Sequence, residues 1–477
     1  MAKKWVKRWT TSGKDHRRND LRILRVTPRS ISTKIDWRLP PSKSHLIRAL
    51  ALYSQTSQKI SLENVAASGD DVRAMRNCLA QMGVKFDDYD SDGELLTQIN
   101  PMELGPHPLS VKWVMHGVGT DGFRRPASVL NAANSGTALR FLAGLVAGME
   151  GPIMLDGDQS LRMRNSEPLW DSLRQAGVGV SIGQGLERLP VILSGPWNAD
   201  KLQSGVHLDI SHSSQPLSSW ILASTNLPTD TLLTLEGKGV SNRHSTLTAE
   251  MVRSAGCKVE LSDGKCLLKP WSPNGEGTYT VPGDASMASF AVLASYCLSS
   301  KIQLIGWPDT KDAIGHEILQ ESAIEYGIKW SEGILEVMEK PSSVHLDVTD
   351  SNDILPPMAA LLALGGGGTI SGAAHAAHKE SNRLTRTVEL LEHFGLQATL
   401  LADGIEVEGN QVPSKPEHPV PTFGDHRLFM TAVLLASKTG GEVIGQKLHH
   451  VADEDFVQRL QDAGVGIESV QIPSLED

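Results

Sequence analysis

The sequence predicts an α/β protein in which one structural unit of about 70 residues is repeated six times. Each copy begins with a polar motif, and an apolar run of small residues follows it, as in a helix buried in a core. Each copy then contains a β-like stretch and a second, amphipathic segment that ends in glycine, the residue that most readily takes a left-handed backbone after a helix. These closing glycines are Gly83, Gly177, Gly256, Gly327, Gly395 and Gly464.

The six apolar runs predict helices that lie in the protein interior. Aromatic residues make up only 5% of the chain, so small and aliphatic side chains must fill the cores. The runs span residues 48–52, 137–142, 219–223, 289–293, 358–362 and 429–433.

The fourth copy shows the order of elements within a unit. Asp284 can cap a helix that continues over 288–298, because its carboxylate accepts hydrogen bonds from free N–H groups of the first turn. A strand over 302–305, an amphipathic helix over 317–326 and a returning strand over 328–330 follow. Each unit is therefore predicted as βαβαββ. A unit of this size cannot bury its own apolar faces, so neighbouring units must pack together.

A chain of 477 residues is too long for one core, and six units divide naturally into two domains of three. The Gly- and Pro-containing stretch 275–283 is the predicted joint. The chain is expected to cross back there, because the β-like segment 30–39 has no earlier partner. The first two units carry inserts, 87–100 and 107–125, which are predicted to be irregular.

Composition excludes several classes of protein. The formal charge of −10 argues against a general nucleic-acid binder. The four cysteines form no CxxC pair and predict unpaired thiols in a reducing compartment. No apolar stretch approaches the roughly 20 residues of a membrane span. Residues 1–25 are basic and lack the apolar core of a signal peptide, so we interpret them as an extension of a cytoplasmic protein.

The polar motifs of the first three copies suit anion binding. Lys43, Ser44 and Arg48 stand at a strand-to-helix junction, where free N–H groups and cations together attract anions, although a solvated helix start is an equal alternative. Gly136 opens the next helix and would let a ligand approach the backbone closely. Further on, 213–215 combine two hydroxyls and an amide, which suit a phosphate or polyol but also ordinary helix capping.

The motif of the fifth copy indicates a chemical function most clearly. Asp353 precedes an apolar helix, and Lys379, Glu380 and Arg383 lead the next one. Lys379 and Arg383 are predicted one helical turn apart, with Glu380 on the face of Arg383. A carboxylate among cations is a candidate proton shuttle, and a surface ion-pair helix is the alternative.

The remaining candidates are histidines and the sixth motif. His375 and His378 have the i, i+3 spacing of metal ligands but no acidic or cysteine partner at the usual distance, so no metal is expected. In the sixth copy Asp425 is predicted to cap a helix while Arg427 points into a site.

Taken together, the motifs resemble those of the 5-enolpyruvylshikimate-3-phosphate (EPSP) synthase family, the enolpyruvyl transferases of the shikimate pathway. Six motifs occur in the family's order on the predicted repeat, which makes the set specific where any single motif is not. The resemblance runs from about residue 35 to 458 and rests on the motifs at 42–44, 134–138, 213–215, 283–286, 379–383 and 425–427.

The resemblance implies a two-domain inside-out α/β barrel. Each domain would hold three βαβαββ repeats around a pseudo-threefold axis, and two crossover strands would join the domains. Residues 42–281 would form the shikimate 3-phosphate domain. Residues 1–41 and 282–477 would form the phosphoenolpyruvate domain, with 1–25 as an extension.

The resemblance also implies the reaction and the residues that perform it. The enolpyruvyl group of phosphoenolpyruvate would pass to the 5-hydroxyl of shikimate 3-phosphate, and phosphate would leave. A monomer acting on these two small molecules, without metal, organic cofactor, nucleic acid or membrane, is expected. Shikimate 3-phosphate would be bound by Lys43, Ser44, Arg48, Ser213, Ser214, Gln215, Ser241, Asp353 and Lys379. Phosphoenolpyruvate would be bound by Lys43, Gly136, Arg164, Gln215, Arg383 and Arg427. The catalytic residues would be Asp353, Glu380, Lys379 and Lys43.

Departures from the family's motifs leave alternatives open. Asn165 and Phe141 stand where the family has prolines, and Asn382 replaces an aspartate. Pro41 replaces a glycine, His244 replaces a tyrosine that lies on the shikimate ring, and Val451 stands where the family has a lysine that contacts phosphoenolpyruvate. A relative that binds a sugar-like phosphate without turnover, or acts on a modified substrate, is one alternative. A UDP-N-acetylglucosamine enolpyruvyl transferase is another, but none of the four cysteines lies on the Gly-rich loop that this enzyme uses. RNA 3′-phosphate cyclases share the repeat style, and the negative charge disfavours them.

Overall fold

The computed structural model describes residues 22–98, 100, 104–183, 185–262, 264–275, 277–338 and 341–471. Most of the predicted extension 1–25 therefore lies outside the described residues. The described part contains two separate apolar cores. One is formed by residues 46–281 together with Ile314, and the other by residues 24–39 together with 287–467. The exact domain boundaries stay a prediction.

The helices include the predicted two per unit and two further short ones, Gln159–Arg162 and Ala199–Gln203. They are α1 (Lys43–Tyr53), α2 (Asp70–Gln81), α3 (Gly136–Ala147), α4 (Gln159–Arg162), α5 (Glu167–Gln175), α6 (Ala199–Gln203), α7 (Gln215–Ala223), α8 (Asn242–Ser254), α9 (Ala288–Leu298), α10 (Ile318–Glu321), α11 (Leu355–Leu364), α12 (Arg383–His393), α13 (His426–Thr439) and α14 (Phe456–Asp462). Short 3-10 turns occupy Gly119–Asp121, Ser224–Asn226, Ala285–Met287, Asn352–Ile354, Ala374–His378 and Leu448–Val451.

The strands are short and evenly spread along the chain. They are β1 (Arg22–Thr27), β2 (Lys34–Arg38), β3 (Lys59–Glu63), β4 (Lys85–Tyr89), β5 (Leu95–Leu96), β6 (Lys112–His116), β7 (Leu130–Asn131), β8 (Gly151–Asp156), β9 (Gly179–Ile182), β10 (Val191–Gly195), β11 (Val206–Asp209), β12 (Thr231–Glu236), β13 (Glu260–Ser262), β14 (Lys265–Leu268), β15 (Thr278–Thr280), β16 (Lys301–Ile305), β17 (Ile328–Ser331), β18 (Ile334–Val337), β19 (Val344–Asp347), β20 (Gly368–Ser371), β21 (Ala398–Leu401), β22 (Gly404–Val407), β23 (Gly441–Ile444) and β24 (Gly466–Gln471).

The six sheets repeat one strand order, a parallel pair followed by two antiparallel neighbours. Five sheets show it in full: β15-β3-β6-β4 with β5 at its edge, β7-β8-β10-β9, β11-β12-β14-β13, β2-β16-β18-β17 and β19-β20-β22-β21. The sixth sheet is β23-β1-β24, and a parallel bridge from Val420 to Val443 supplies its fourth position. The predicted repeat is thus visible in the pairing of the strands.

The first helix of each unit lies inside and the sheets lie outside. Helices α1, α3 and α7 pack into one core, and α9, α11 and α13 into the other, with nearly every residue buried. Because helices fill the interior and sheets surround them, each half has the inside-out arrangement that was predicted. The four cysteines are unpaired and buried.

Two crossing segments join the halves. The early strand β2 pairs in parallel with β16 of the fourth unit, and β15 pairs in parallel with β3 of the first. The backbone N–H of Ser42 donates to the carbonyl of Pro282 (2.8 Å), and that of Asp284 donates to the carbonyl of Pro40 (2.8 Å). The predicted crossing near 275–283, and the late partner for segment 30–39, are both confirmed.

The closing glycines behave as predicted, with φ between 71° and 105° at all six positions.

Two element predictions were wrong. The helix expected over 317–326 is only the single turn α10; Ile324 is 70% exposed while Tyr326 is 1% exposed, so the two do not share a buried face. The stretches 87–100 and 107–125 are not irregular throughout, because β4 and β6 pair there and complete the first sheet. None of the described helices is both long and apolar enough to cross a membrane.

Candidate active site

A polar cavity of about 240 Å³ lies between the two halves. Helices α1, α3, α7 and α8 point their N-terminal ends at it from the first half, and α12 and α13 do so from the second. Free N–H groups and the positive ends of the helix dipoles therefore converge on one space. The cations that line the cavity add to this field, and the site is built to hold anions. They are Lys43, Arg48, Arg140, Arg164, Lys379 and Arg383.

Lys43 is the first residue of α1 and lines the cavity. Its Nζ lies 3.1 Å from Oδ2 of Asp71, a buried carboxylate in the first turn of α2. Burial opposes the charge of Lys43, but the carboxylates of Asp71, Glu380 and Asp353 outweigh it and raise its pKa. Lys43 is therefore a cation at neutral pH.

Arg48 joins α1 to α8 at the wall of the cavity. Its Nε donates to Oγ1 of Thr248 (2.7 Å), its Nη1 to the carbonyl of Ser44 (2.8 Å) and its Nη2 to the carbonyl of His244 (3.0 Å). Burial lowers its pKa to about 9, which leaves the guanidinium charged at neutral pH. These three bonds fix the wall that carries Ser44 and His244.

Two hydrogen bonds of Gln215 connect α3 and α7 at the wall of the cavity. Its Oε1 accepts a hydrogen bond from Arg140, and its Nε2 donates to Oγ1 of Thr137 (3.0 Å). An added Cβ at Gly136 would lie 2.8 Å from Nη1 of Arg140, so a larger residue here would displace this guanidinium. Arg164 comes from the loop after α4 and donates through Nη2 to Oδ1 of Asn134 (2.7 Å).

Arg383 lies at the centre of an ionic cluster in the second half. It is 1% exposed and contacts three carboxylates: Oδ1 of Asp353 (2.5 Å), Oδ2 of Asp425 (2.8 Å) and Glu380. Oδ2 of Asp425 is also 3.1 Å from Oγ of Ser381, and Oδ1 caps α13 by accepting from the N–H of Arg427. The predicted capping role of Asp425 is confirmed.

The acidic groups of this cluster are held in their ionised form. Burial opposes it, but Lys379 and Arg427 hold the pKa of Asp353 well below its usual range. Arg383 and Arg164 do the same for the pKa of Glu380 against its burial. Burial lowers the pKa of Lys379, whose Nζ lies 3.9 Å from Asp353, so this amine releases a proton more readily than an exposed lysine.

The structure brings together nearly all the residues that the sequence singled out. Every predicted binding or catalytic residue lines the cavity except Arg427, which lies behind it, 2% exposed, with Nη2 at 3.6 Å from Asp353 and 2.9 Å from Oγ of Ser286. The predicted helical spacing of Lys379 and Arg383 was wrong, because α12 begins at Arg383 and Lys379 lies in the preceding bend.

Sequence reasoning missed the lining residues Asp71 and Asp209, and it assigned no role to His212 and His426, which lie within its motifs and also line the cavity. Near Val451, neither His449 nor His450 lines the cavity. His449 stacks on Phe429, and burial lowers its pKa to about 3, so it supplies no cation.

A metal ion does not suit the one set of potential ligands found in the described part of the chain. Glu380, Asp425 and His426 bring ligand atoms within 4.8 Å of one another. Both carboxylates already bind Arg383, whose fixed positive charge would repel a cation. Of the predicted histidine pair, Nε2 of His375 lies 3.5 Å from Oγ of Ser241, and the side chain of His378 lies outside the described residues.

Comparison with known proteins gives one family. A family model described as EPSP synthase (3-phosphoshikimate 1-carboxyvinyltransferase) matches residues 27–460. The chain is 27% identical to the 3-phosphoshikimate 1-carboxyvinyltransferase of Methanothermobacter thermautotrophicus, over 89% of this chain and 94% of that protein. It is 29% identical to the enzyme of the same name from Korarchaeum cryptofilum, over 90% and 96%. In fold it is similar to the EPSP synthase structure from Acinetobacter baumannii, with a TM-score of 0.71, 22% identity, and coverage of 94% of this chain and 100% of that one.

Proposed function

This chain belongs to the EPSP synthase (3-phosphoshikimate 1-carboxyvinyltransferase) family, and from that premise we propose that it transfers the enolpyruvyl group of phosphoenolpyruvate to the 5-hydroxyl of shikimate 3-phosphate, releasing phosphate. The observation that best supports the residue roles is the ionic cluster of Asp353, Glu380 and Arg383 facing Lys43 and Arg164 across one cavity. Carboxylates that can transfer protons therefore lie in contact with cations that can bind two anionic substrates.

Shikimate 3-phosphate is proposed to bind on the first half. Ser213, Ser214 and Ser241 offer hydroxyls, and Gln215 an amide, at the starts of α7 and α8. Lys43, Ser44 and Arg48 complete this wall from α1, and Asp353 and Lys379 approach from the opposite half. Hydroxyls and an amide match a polyol ring, and the cations match its carboxylate and phosphate.

Phosphoenolpyruvate is proposed to bind between the halves. Arg164 reaches from the first half to within 3.6 Å of Glu380, while Arg383 and Arg427 belong to the second. Forked guanidinium donors match both carboxylate and phosphate oxygens. Lys43, Gln215 and the open backbone at Gly136 border the same space.

The proposed chemistry is an addition followed by an elimination. Asp353 accepts the proton of the 5-hydroxyl as the oxygen bonds to C2 of phosphoenolpyruvate, and C3 takes up a proton. Then the C2–O bond to phosphate breaks, C3 loses a proton and the C2=C3 double bond forms again. Lys379, whose pKa is lowered by burial, gives C3 its proton in the addition and recovers one from Asp353, 3.9 Å away. The ionised Glu380, beside Arg164 and Arg383, takes a proton from C3 in the elimination and passes it to the departing phosphate.

Contacts between the halves support a closed, water-poor reaction space. Arg73 of α2 pairs with Glu454 (2.9 Å), and the N–H of Asn242 donates to Oδ1 of Asp350 (2.7 Å). Exclusion of water strengthens the charge contacts inside and protects the intermediate from hydrolysis.

We further propose that the protein acts as a monomer in the cytoplasm with small molecules as its only partners. The net charge of −10 argues against a nucleic-acid partner, and the four buried, unpaired cysteines fit a reducing compartment. Size-exclusion chromatography with light scattering, at working concentration, tests the monomer.

The experiment for the function is phosphate release by the purified protein. Release from phosphoenolpyruvate should depend on shikimate 3-phosphate and should stop when either substrate is omitted. Calorimetry with shikimate 3-phosphate accompanies the assay. Binding without phosphate release would overturn the proposed activity in favour of a non-catalytic binder, and release driven by a UDP-sugar instead would favour the sister transferase.

A further inference from the structure

A second cavity, a groove of about 520 Å³, lies where two central helices of the first half end. Helix α3 begins at the active site with Gly136, whereas Leu145 in its last turn and Gly148 at its cap line the groove. The 3-10 turn that continues α7 ends at Asn226, which lines the groove as well. At 1.5 Å per residue, the 12 residues of α3 hold the two cavities about 18 Å apart. The groove is therefore separate from the site of the proposed reaction.

The helix ends make the groove attractive to a positive group. Because α3 and α7 start at the active site, their C-terminal ends, which carry partial negative charge and free carbonyl oxygens, lie at the groove. Glu150, two residues beyond the cap of α3, adds a carboxylate to the lining. Its side chain forms no ion pair or hydrogen bond within the described part of the chain. An ammonium group would meet both this carboxylate and the helix ends.

Arg125 brings a guanidinium to the same groove, beside the residues that follow Glu150. Its Nη2 donates to the carbonyl of Pro152 (3.1 Å), and its Nη1 lies so close to Gly151 that a Cβ added there would be 2.8 Å away. The other N–H groups are available, since this bond uses only part of the guanidinium. Arg125 and Glu150 are thus neighbours that form no ion pair with each other. They fit a ligand that carries a carboxylate and an ammonium group side by side.

Apolar side chains form the rest of the binding surface. Leu145 is 1% exposed, and Phe123 and Met149 are partly buried and pack against the core of the first half. An aliphatic or aromatic group of a ligand would leave water on contact with them, which favours binding. The groove therefore combines two opposite charges with an apolar surface.

We propose that this groove binds a free α-amino acid with an apolar side chain. Its carboxylate would accept from Arg125, its ammonium group would donate to Glu150 and to the carbonyls at the end of α3, and its side chain would lie on Phe123 and Met149. Both charges of such a molecule stand on one carbon, which matches two protein charges that are close but unpaired. A groove of about 520 Å³ has room for it. The inference goes beyond the proposed function and does not depend on it.

The test is a titration of the full chain with L-leucine and with L-phenylalanine, followed by ligand-observed nuclear magnetic resonance. Leucinamide, which lacks the carboxylate, and N-acetylleucine, which lacks the ammonium group, are titrated in parallel. Arg125→Gln and Glu150→Gln each remove one charge of the groove. The melting temperature of each variant shows that the fold is retained.

The matched controls are Arg253→Gln and Glu250→Gln, which change two exposed residues of α8 outside both cavities. Like Arg125, Arg253 donates through Nη2 to a backbone carbonyl, that of Val259 (3.2 Å). These variants remove the same charges from the protein without changing the groove.

We expect both amino acids to bind with dissociation constants of about 1 mM or lower. Arg125→Gln or Glu150→Gln should weaken binding at least about 5-fold, because each removes a charge-assisted contact, and the controls should leave it unchanged. Leucinamide should bind the unchanged protein as weakly as leucine binds Arg125→Gln, and N-acetylleucine should bind it as weakly as leucine binds Glu150→Gln.

Three results would overturn the inference: no saturation below about 20 mM, equal losses in the control variants, or equal binding of leucine and leucinamide. Phosphate release without amino-acid binding would refute this inference alone. Amino-acid binding without phosphate release would support it and refute only the proposed function.

Discussion

At the scale of single residues, the charged motifs could be predicted to have a function, because core packing does not require charged side chains at these positions. A carboxylate among cations at 379–383 predicted a proton shuttle, and the structure places Glu380 against Arg383 beside the cavity. The place of Asp71 in the site could not be predicted from the sequence. Asp70 and Asp71 look like the ordinary acidic first turn of a helix, and the contact of Asp71 with Lys43 is made only when α1 and α2 pack.

The roles of Asp353 and Glu380 lead to a prediction for substitutions that keep shape and remove charge. Asp353→Asn or Glu380→Gln should cut kcat at least about 100-fold, because a general base or acid is lost, while substrate binding is largely retained. Steady-state kinetics and calorimetry with shikimate 3-phosphate measure the two effects. Equal losses of binding and rate would show that the carboxylates only hold the site together.

At the scale of elements, the closing glycines correctly predicted where helices end, and the apolar runs correctly predicted which helices are buried. Both patterns have a physical cause. A helix that ends in a left-handed residue strongly favours glycine, and all six closing glycines have positive φ. The helix predicted over 317–326 failed because its apolar positions do not share one face, and the backbone leaves the helical region at Ser322 (φ −93°, ψ 8°). The strands β4 and β6 were missed because they lie next to polar insert sequence, and their conformation is decided by pairing, of β6 with β3 and of β4 with β6.

The start of α13 gives a prediction for stability. Asp425 caps this helix and pairs with Arg383, and both groups are buried. Asp425→Ala should lower the free energy of unfolding by about 3 kcal/mol or more, because it leaves a buried cation short of a partner.

The matched control for this substitution is Asn198→Ala. Asn198 caps α6 at an exposed position by accepting from the N–H of Lys201 (2.9 Å), without an ion pair. Its loss should cost about 1 kcal/mol. Urea unfolding of both variants gives the comparison, and equal losses would mean that the buried pair adds nothing to the cap.

At the scale of the whole molecule, the repeat predicted six similar units in two groups of three and a chain crossing between them, and the family resemblance implied the inside-out arrangement. Periodicity carries this information because each unit must bury its apolar face against a neighbour. The pairing of β1 with β23 and β24 was not predicted, since it joins segments more than 400 residues apart and leaves no local pattern. The convergence of helix starts from both halves on one cavity is likewise a product of packing, although most of these starts could be predicted singly.

Buried neutral histidines predict how the stability of the molecule depends on pH. Burial holds the pKa of His449 at about 3, against 6.5 when exposed. Between these values the unfolded chain binds one more proton at this residue than the folded protein does. The free energy of unfolding should therefore fall as the pH falls below 6.5, by up to about 1.4 kcal/mol per pH unit for this residue.

His449→Phe tests this dependence, because a phenyl ring keeps the stacking on Phe429 and cannot take up a proton. Urea unfolding at pH 7, 6 and 5 should show a smaller loss of stability for the variant than for the unchanged protein. Parallel losses across this range would show that His449 does not contribute.

The most direct test of the central claim is nuclear magnetic resonance of the complete reaction in D₂O. The addition and elimination at the cluster of Asp353, Lys379 and Glu380 require C3 of phosphoenolpyruvate to gain and then lose a proton. Incubation of the protein with both substrates should therefore yield inorganic phosphate and an enolpyruvyl ether of shikimate 3-phosphate that carries deuterium at its vinyl CH₂. An ether without deuterium, or phosphate without the ether, would contradict the account.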